Sequence, residues 1–366
     1  MDAPAGAAGA SHSATSAAKP GGAIVKTLRD VGEAEAIRLL TRGAAARADV
    51  AVGPGDDAAV LRCDPGEDLV ATTDSMVEGR HFLPVWLTPA ERGARLAAVN
   101  LSDLAAMAAR PRWALLSAGV RPEHEMKSLL EFQGGLAAAL ATEGAAVVGG
   151  NLAAVRGDEW WSLTLLGSVP RGRAWTRAGA RPGDLLAVTG WPGRAAAGLA
   201  LSRLESPEAF RAAREEAWKP LLDAWLRPRT RVGFALALAP AGAVTAAIDV
   251  SDGFAGDLAR LCEASGAGCD VHSRSLPVDP PLERAVSALG LNFATLRFGP
   301  SDDYELLLAI DPGGRDACER AARASGTPLV FAGRFTDRRG ELSLVTADGA
   351  TRRLDPGGFD HFADER

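Results

Sequence analysis

The chain contains 366 residues, of which 47% are hydrophobic and 23% are charged, and its formal net charge is −6. Because single hydrophobic cores stop growing near roughly 250–300 residues, this length predicts two domains. The acidic balance and the lack of any Lys- or Arg-rich block argue against nucleic acid as a partner. No apolar run reaches the roughly 18 residues of a membrane span, so we expect no membrane partner.

The N-terminal residues and the cysteines bear on the compartment. Residues 1–25 are rich in Ala, Gly and Ser and lack a signal-peptide core, so a disordered tail is predicted there. The four cysteines form no CxxC pair, which argues against a zinc site and a disulfide framework. We therefore expect reduced cysteines and a cytoplasmic protein.

Strands and helices alternate through residues 26–170, which we predict to be the N-terminal domain. The helix that follows Thr88 has the clearest start, because Thr is a favoured N-cap and Pro89 suits the first turn. The predicted elements are a helix at Glu33–Arg47, a strand at Asp68–Thr73, the helix from Thr88 to Arg110, a strand at Trp113–Val120, a helix at Met126–Thr142, and strands at Ala145–Val148 and Trp160–Val169.

A polar stretch at residues 171–183, dense in Arg and Gly, marks the predicted boundary with a C-terminal domain at residues 171–366. The elements predicted there are strands at Asp184–Thr189, Val244–Ile248, Tyr304–Ile310 and Leu329–Phe331, and helices at Ala195–Leu204, Gly253–Ser265 and Arg315–Ala324. This mixture predicts an α+β or α/β fold with two lobes.

Asp103 is the first residue that is out of place, since nearly everything around it in the helix is apolar. Helical spacing places Asn100, Asp103 and Met107 on one face. An ionised carboxylate on a buried face is costly unless it is paired or bound to a metal. A salt bridge or a solvent-facing patch would explain Asp103 if it stood alone.

Other acids stand where predicted strands end. They are Asp56 and Asp57 after Val50–Val52, Asp74 with Thr72 and Thr73 after Leu69–Ala71, Asp249 and Asp252 after Val244–Ile248, and Asp302 and Asp303 before Tyr304–Ile310. Ligands of α/β sheets bind outside the carboxyl ends of strands, so we expect these acids to converge. Single members have simpler explanations: Asp252 as a helix cap, and Asp56 in an Asx turn. Converging carboxylates need hard cations, which points to Mg²⁺ held with substrate phosphates.

The phosphate side has weaker candidates. Val147 and Val148 are followed by Gly149-Gly150-Asn151, which we interpret as a strand entering a glycine turn whose amides approach phosphate. The chain has no Walker A motif, no protein-kinase motif set and no HExxH motif.

Taken in order, the segments resemble the thiamine-monophosphate kinase family, within the aminoimidazole ribonucleotide synthetase superfamily. The resemblance covers nearly the whole chain after Asp30. It rests on Gly32-Glu33, Gly55-Asp56-Asp57-Ala58, Thr72-Thr73-Asp74, Glu78-Gly79-Arg80-His81-Phe82, Val99-Asn100-Leu101-Ser102-Asp103, Gly149-Gly150-Asn151, Thr176-Arg177, Asp249-Val250-Ser251-Asp252-Gly253, Asp303-Tyr304-Glu305-Leu306 and Gly358-Phe359-Asp360-His361-Phe362.

This resemblance implies a Mg²⁺- and ATP-dependent kinase of thiamine monophosphate, built as a homodimer whose N-terminal domain forms the dimer core. It implies metal ligands at Asp57, Thr72, Thr73, Asp74, Asp103, Asn151, Asp249 and Asp252, with Asp103, Asp249 and Asp252 central to catalysis. It implies ATP contacts at Gly150, Asn151, Arg177 and Ser251, and substrate contacts at His81, Asp302 and Phe359. Without it, His81 and Phe359 would be interpreted as a surface histidine and a core aromatic.

Three features depart from the family pattern. Pro300-Ser301-Asp302 replaces the usual Gly-Gly-Glu, Gly193-Arg194-Ala195 replaces Gly-Asp-Ser, and Trp191 stands where a small residue is usual. Proline fixes φ, and Asp is one methylene shorter than Glu, so we expect the loop at the substrate to change shape.

Other functions stay open at this point. A sister ligase that makes aminoimidazole ribonucleotide would have different substrate loops. A selenophosphate synthetase would need a reactive Cys before Cys63, and a hydrogenase-maturation relative would need a C-terminal Cys. A non-catalytic protein that binds nucleotide or thiamine phosphate is the alternative from another class.

Overall fold

The computed structural model describes residues 25–42, 46–203 and 218–357. The predicted tail, apart from residue 25, and the predicted substrate residue Phe359 lie outside the described residues. Among the helices that are described, none is long and apolar enough to cross a membrane.

The N-terminal half is built on a four-stranded sheet with the order β3-β6-β4-β5, in which only β4 and β5 run parallel. Its elements are α1 (Leu28–Val31), α2 (Glu33–Thr41), β1 (Val50–Val52), β2 (Val60–Leu61), β3 (Glu67–Val77), α3 (Pro89–Ala106), β4 (Arg110–Val120), α4 (Met126–Thr142), β5 (Ala146–Ala154) and β6 (Trp160–Pro170). Strands β1 and β2 form a separate antiparallel pair.

Helices α3 and α4 pack together across one face of this sheet. A capping box starts α3, in which the Thr88 hydroxyl accepts from the Glu91 amide and the Glu91 carboxylate accepts from the Thr88 amide. Two glycines let the helices approach closely. A Cβ on Gly93 would lie 2.1 Å from the Phe132 carbonyl oxygen, and one on Gly135 would lie 2.0 Å from the Ala90 carbonyl oxygen.

The other face of the four-stranded sheet is open in the single chain. Residues with odd numbers in β3 point to this face, and among them Leu69 is 54% exposed. Leu115 on β4 is 36% exposed on the same face. We call this surface, which also carries Thr73 and Asn151, the open sheet face.

The C-terminal half is built on a seven-stranded sheet with the order β13-β12-β9-β11-β7-β10-β8. Its elements are β7 (Leu185–Thr189), α5 (Arg194–Ser202), α6 (Lys219–Leu226), α7 (Val232–Leu238), β8 (Val244–Asp249), α8 (Phe254–Ser265), β9 (Gly268–His272), α9 (Pro280–Leu289), α10 (Phe293–Phe298), β10 (Leu306–Ile310), α11 (Arg315–Ser325), β11 (Leu329–Thr336), β12 (Leu342–Val345) and β13 (Thr351–Arg353).

Strand β10 shows how this sheet is buried. Its residues alternate between two apolar clusters, with Leu306 and Leu308 in one and Leu307 in the other. Both faces of the strand are covered, which explains its unbroken apolar sequence. The cluster on the first side continues into α3, so the two halves share a hydrophobic core.

Several predicted boundaries were wrong. Helix α2 ends at Thr41 rather than Arg47, where Arg42 turns to extended backbone, and α3 ends at Ala106 rather than Arg110. Strand β3 runs on to Val77 rather than ending at Thr73, so Asp74 lies inside it together with Thr72 and Thr73. On the side that faces α3, the Thr72 hydroxyl and the backbone amide of Asp74 both find partners on that helix.

The predicted glycine turn was also wrong. Strand β5 runs from Ala146 to Ala154, so Gly150 and Asn151 are strand residues. Gly150 is required for packing, since a Cβ there would lie 1.9 Å from the Leu116 carbonyl oxygen on the neighbouring strand.

Candidate active site

Helix α3 carries the centre of the candidate site. The Thr72 hydroxyl on β3 donates a hydrogen bond to the Asp103 carboxylate. The amide of Asp74, two residues further along β3, donates to the Asn100 side-chain oxygen at 3.0 Å. Asn100 is fully buried and its side-chain nitrogen donates to the Leu96 carbonyl oxygen, so its orientation is fixed.

Asp249 approaches the same helix from the C-terminal half. It is the last residue of β8 and is 4% exposed. Ser102 on α3 donates a hydrogen bond from its hydroxyl group to the Asp249 carboxylate at 2.7 Å. The structure therefore brings together Asp74, Asp103 and Asp249, which lie far apart in the sequence, and we call them the acidic cluster.

Burial and neighbouring carboxylates disfavour the ionised forms of the acidic cluster. Burial, followed by repulsion from Asp103, raises the pKa of Asp249 to about 8. Burial, followed by repulsion from Asp103 and Asp252, raises the pKa of Asp74 to about 6. Burial also raises the pKa of Asp103, against the opposing effects of the Thr72 hydrogen bond and the Arg177 charge. Such mutual repulsion is what a bound cation relieves.

The turn after β8 is held by a residue that the sequence analysis missed. The Asp257 carboxylate accepts hydrogen bonds from the amides of Ser251, Asp252 and Gly253 at 3.0–3.1 Å. Arg260 pairs with both Asp252 and Asp257. Asp252 therefore does not cap α8, whose N-cap is Gly253 with no side-chain cap. The signal was present in the sequence, as a second acid one helical turn after the Asp-Gly pair.

The loop expected at the substrate, which carries Pro300-Ser301-Asp302, packs against this turn, and we call residues 299–303 the acceptor loop. Gly253 has φ +123°, and a Cβ there would lie 2.3 Å from the Gly299 carbonyl oxygen. The Tyr304 amide donates to the Val250 carbonyl oxygen at 2.8 Å. The turn that carries Ser251 and Asp252 and the acceptor loop are therefore neighbours in the C-terminal half.

Asp303 ties the acceptor loop to the start of α5. Its carboxylate accepts from the amides of Gly193 and Ala195 at 2.8 and 2.9 Å. Burial raises the pKa of Asp303 to about 6 even though these amides favour the ionised form. Two of the departures from the family pattern, at residues 193–195 and 300–302, thus meet in one place.

Several other predicted site residues lie outside the acidic cluster, and their roles stay predictions. Asp57 lies in the exposed segment between β1 and β2, where its amide donates to the Asp56 carboxylate. Arg177 is exposed, and its charge lowers the pKa of Asp103. The ring Nδ1 of His81 accepts from the Val77 amide at 3.1 Å. Asn151 lies on β5, at the opposite sheet edge from Asp74.

The oxygen atoms that could act as metal ligands at this site suit a hard cation. Carboxylate and hydroxyl oxygens converge from β3, α3 and β8, and these are ligands that Mg²⁺ accepts. In the described ranges, no group of three or more His, Cys, Asp or Glu side chains that could hold a metal ion by itself is present. Magnesium is usually bound through one or two carboxylates together with substrate phosphates and water, so the residues fit a site that the nucleotide completes.

Comparisons with known proteins agree with this arrangement. The family model of the AIR synthase related protein, N-terminal domain, matches residues 55–169, and that of its C-terminal domain matches residues 181–345. The thiamine-monophosphate kinase of Salmonella typhimurium is 37% identical over 330 residues, which cover 89% of this chain and 96% of that protein. These matches confirm the predicted fold class and the family resemblance.

Solved structures of thiamine-monophosphate kinases also match this chain. The crystal structure of thiamine-monophosphate kinase from Stenotrophomonas maltophilia K279a matches with a TM-score of 0.72 and 33% identity, covering 86% of this chain and 94% of that one. A structure of AaThiL complexed with AMPPCP and TMP matches with a TM-score of 0.69 and 26% identity, covering 93% of this chain and 100% of that one.

Proposed function

The chain belongs to the AIR synthase related proteins and, within them, to the thiamine-monophosphate kinase family, and from this premise we propose that it transfers the γ-phosphate of ATP to thiamine monophosphate. The products are thiamine diphosphate and ADP. The observation that carries the proposal is the acidic cluster, whose buried carboxylates suit a cation-bound polyphosphate. The AaThiL relative with AMPPCP, an ATP analogue, and TMP supports the same pair of substrates.

We propose that Mg²⁺ is the cation. One or two carboxylates of the acidic cluster would hold it together with the ATP phosphates. The family resemblance implies further ligands at Thr72, Thr73, Asp252, Asp57 and Asn151. Bound there, Mg²⁺ would neutralise negative charge on the ATP phosphates. The hard oxygen donors and their raised pKa values support this assignment.

The chain's own contribution is to position two phosphates in line. The attacking atom is a phosphate oxygen of the acceptor, which is already anionic near neutral pH, so no general base is needed. Arg177, Ser251 and Gly150 would hold the nucleotide, and the Arg177 charge would add to the neutralisation. The hydrogen bonds of Asp257 fix the turn that presents Ser251 and Asp252. Catalysis then comes from orientation and electrostatic stabilisation.

We propose that the acceptor lies beside residues 299–303, with His81, Asp302 and Phe359 lining its site. The contact between Gly253 and Gly299 supports this placement, because it brings the acceptor loop against the turn at the acidic cluster. The Val77 amide fixes the His81 ring through its Nδ1 atom.

We propose that the active form is a homodimer, with residues 26–170 forming the dimer core and residues 171–366 forming a second domain. Strands β3 and β5 are opposite edges of the four-stranded sheet, roughly 14 Å apart at the usual strand spacing. Asn151 on β5 is therefore remote from Asp74 on β3 in the same chain. Pairing two open sheet faces would cover Leu69 and Leu115 and would allow Asn151 of the partner subunit to complete the site.

A cytoplasmic location is also proposed. It is supported by the four cysteines, all of which are free, with Cys262, Cys269 and Cys318 buried.

A product assay tests the reaction. With ATP, Mg²⁺ and thiamine monophosphate, thiamine diphosphate and ADP should appear in equal amounts, and no inorganic phosphate should be released. A sister ligase would release phosphate from an activated intermediate. A pure binding protein would release neither product. Phosphate release that depends on thiamine monophosphate, or no response to it, would contradict the proposed reaction.

A further inference from the structure

An ion pair between a buried arginine and a partly buried aspartate joins the two halves of the protein beside the candidate site. Arg95 on α3 is 5% exposed, and its guanidinium pairs with the carboxylate of Asp302 in the acceptor loop. The N-terminal family model contains Arg95, and the C-terminal one contains Asp302. The family resemblance implies a direct substrate contact for Asp302, but its carboxylate is engaged by this arginine.

Aromatic rings fix the orientation of Arg95. Its guanidinium carbon lies 5.3 Å from the centre of the Trp225 ring and 6.0 Å from the centre of the Tyr304 ring. Trp225 is itself 3% exposed and packs edge-on against Trp86 at 4.9 Å. A planar guanidinium held in this way presents its donors in one direction, which a flexible lysine ammonium would not do.

The residues next to Asp302 and the helix that carries Arg95 connect this ion pair to both ends of the predicted site. Its neighbour Asp303 holds the amides of Gly193 and Ala195, and Tyr304 is hydrogen-bonded to Val250 in the turn after β8. On the other side, Arg95 and Asp103 lie on one helix, eight residues or about 12 Å apart. A single rigid helix therefore carries both the arginine and part of the acidic cluster.

We propose that Arg95 and Asp302 are a positioning pair, which sets the acceptor loop relative to the acidic cluster on α3. In this assignment Asp302 lines the acceptor site and acts through Arg95, and its carboxylate does not contact the acceptor. The inference rests on the proposed function and deepens it, because it names what determines the placement of the acceptor.

The test is a double-mutant cycle with Arg95→Gln, Asp302→Asn and the combined variant. Each single variant should raise the KM for thiamine monophosphate about tenfold, equivalent to about 1.4 kcal/mol, while the KM for ATP stays within about twofold of wild type. In the combined variant, the KM for thiamine monophosphate should exceed that of the more strongly affected single variant by no more than about threefold. Both changes remove the same interaction, so their effects should not add.

Two further variants keep the test decisive. Arg95→Lys keeps the charge, and so protects the fold, but loses the planar fork, and it should still raise the acceptor KM at least about threefold. Arg231→Gln is the matched control, since Arg231 and Glu305 form another Arg–carboxylate pair with a buried arginine, and this pair lies within the C-terminal half. It should lower the unfolding temperature and leave both KM values within about twofold of wild type.

The outcomes separate the two proposals. Wild-type protein that transfers no phosphate to thiamine monophosphate refutes the proposed function and this inference with it. Wild-type turnover combined with an effect of Asp302→Asn that Arg95→Gln does not reproduce, or with additive effects, shows that Asp302 contacts the acceptor directly and refutes the pair alone. An equal rise in acceptor KM for Arg231→Gln, or an unchanged KM for Arg95→Lys, also refutes it.

Discussion

The Ser102 hydroxyl donates a hydrogen bond to the Asp249 carboxylate at 2.7 Å, which joins α3 of the N-terminal half to β8 of the C-terminal half. Both residues are almost completely buried. This bond is local evidence that the two halves meet at the acidic cluster, since neither half alone supplies all three carboxylates.

Replacing a carboxylate of the cluster by its amide should abolish turnover and preserve the fold. Asp103→Asn and Asp249→Asn are nearly isosteric and remove a buried charge that burial and repulsion disfavour. We expect a loss of at least about a hundredfold in kcat, because charge neutralisation at the phosphates depends on the cation held here. Steady-state kinetics at saturating Mg²⁺ and circular dichroism measure the two effects. Asp316→Asn, at an exposed position of α11, is the control and should behave as wild type.

The metal-free protein should lose stability as the pH rises from about 5 to about 8. An aspartate in the unfolded chain titrates near about 3.9, whereas the folded pKa values of Asp74 and Asp249 are raised to about 6 and about 8. In that window the folded protein binds more protons than the unfolded chain, so the free energy of unfolding falls as the pH rises.

Thermal unfolding in EDTA at pH 5, 6.5 and 8 measures this effect. Mg²⁺ binds the ionised carboxylates, so the stabilisation that it provides should grow over the same range. Asp249→Asn should flatten the dependence in EDTA. A melting temperature in EDTA that rises between pH 5 and 8 would contradict the raised pKa values.

Local sequence patterns were sufficient for some elements and for part of the site. The bounds of α4 were predicted correctly, and the Thr88-Pro89 start of α3 is confirmed by its capping box. Asp103 was singled out because an acid in an apolar helix is costly, and the structure surrounds it with other acids. These features depend on short-range periodicity and on burial, which the sequence encodes directly.

The remaining features depend on long-range partners. Strand β3 was predicted to end at Thr73, but it continues through Asp74 to Val77, and the Asp74 amide finds a hydrogen-bond partner on α3. Gly150 was interpreted as a turn residue, although it is needed for close approach to β4. Arg95 was not identified, because nothing in its own segment indicates Asp302, which lies 207 positions away.

Two adjacent glycines in α4 should respond in opposite ways to alanine. A Cβ on Gly135 would lie 2.0 Å from the Ala90 carbonyl oxygen of α3, whereas one on Gly134 would meet nothing within 4 Å. Gly135→Ala should therefore destabilise the protein by about 1–3 kcal/mol through overpacking between helices. Gly134→Ala should stabilise it by about 0.5–1 kcal/mol through its better helix propensity. Urea unfolding of both variants measures the difference, and equal effects would contradict the packing of α3 on α4.

The open sheet face should control the oligomeric state. Leu69→Lys places a charge on this face, and we expect it to shift the protein from dimer to monomer in analytical ultracentrifugation. Leu130→Lys is the control, because Leu130 is 38% exposed on α4, on the other side of the sheet. A dimer that survives Leu69→Lys and dissociates with Leu130→Lys would place the interface elsewhere.

Subunit complementation tests whether the site is shared between two chains. Asp103→Asn and Asn151→Ala should each be inactive alone, since each removes one proposed ligand. If Asn151 of the partner subunit completes the site, a mixed dimer contains one intact site, made from the wild-type Asp103 of one chain and the wild-type Asn151 of the other. Random exchange makes half of the dimers mixed, so equimolar mixing after subunit exchange should restore about a quarter of wild-type activity. If both ligands serve the site of their own chain, every site in the mixture stays defective and no activity returns. That result would remove Asn151 from the shared site and leave the roughly 14 Å between β3 and β5 to be bridged within one chain.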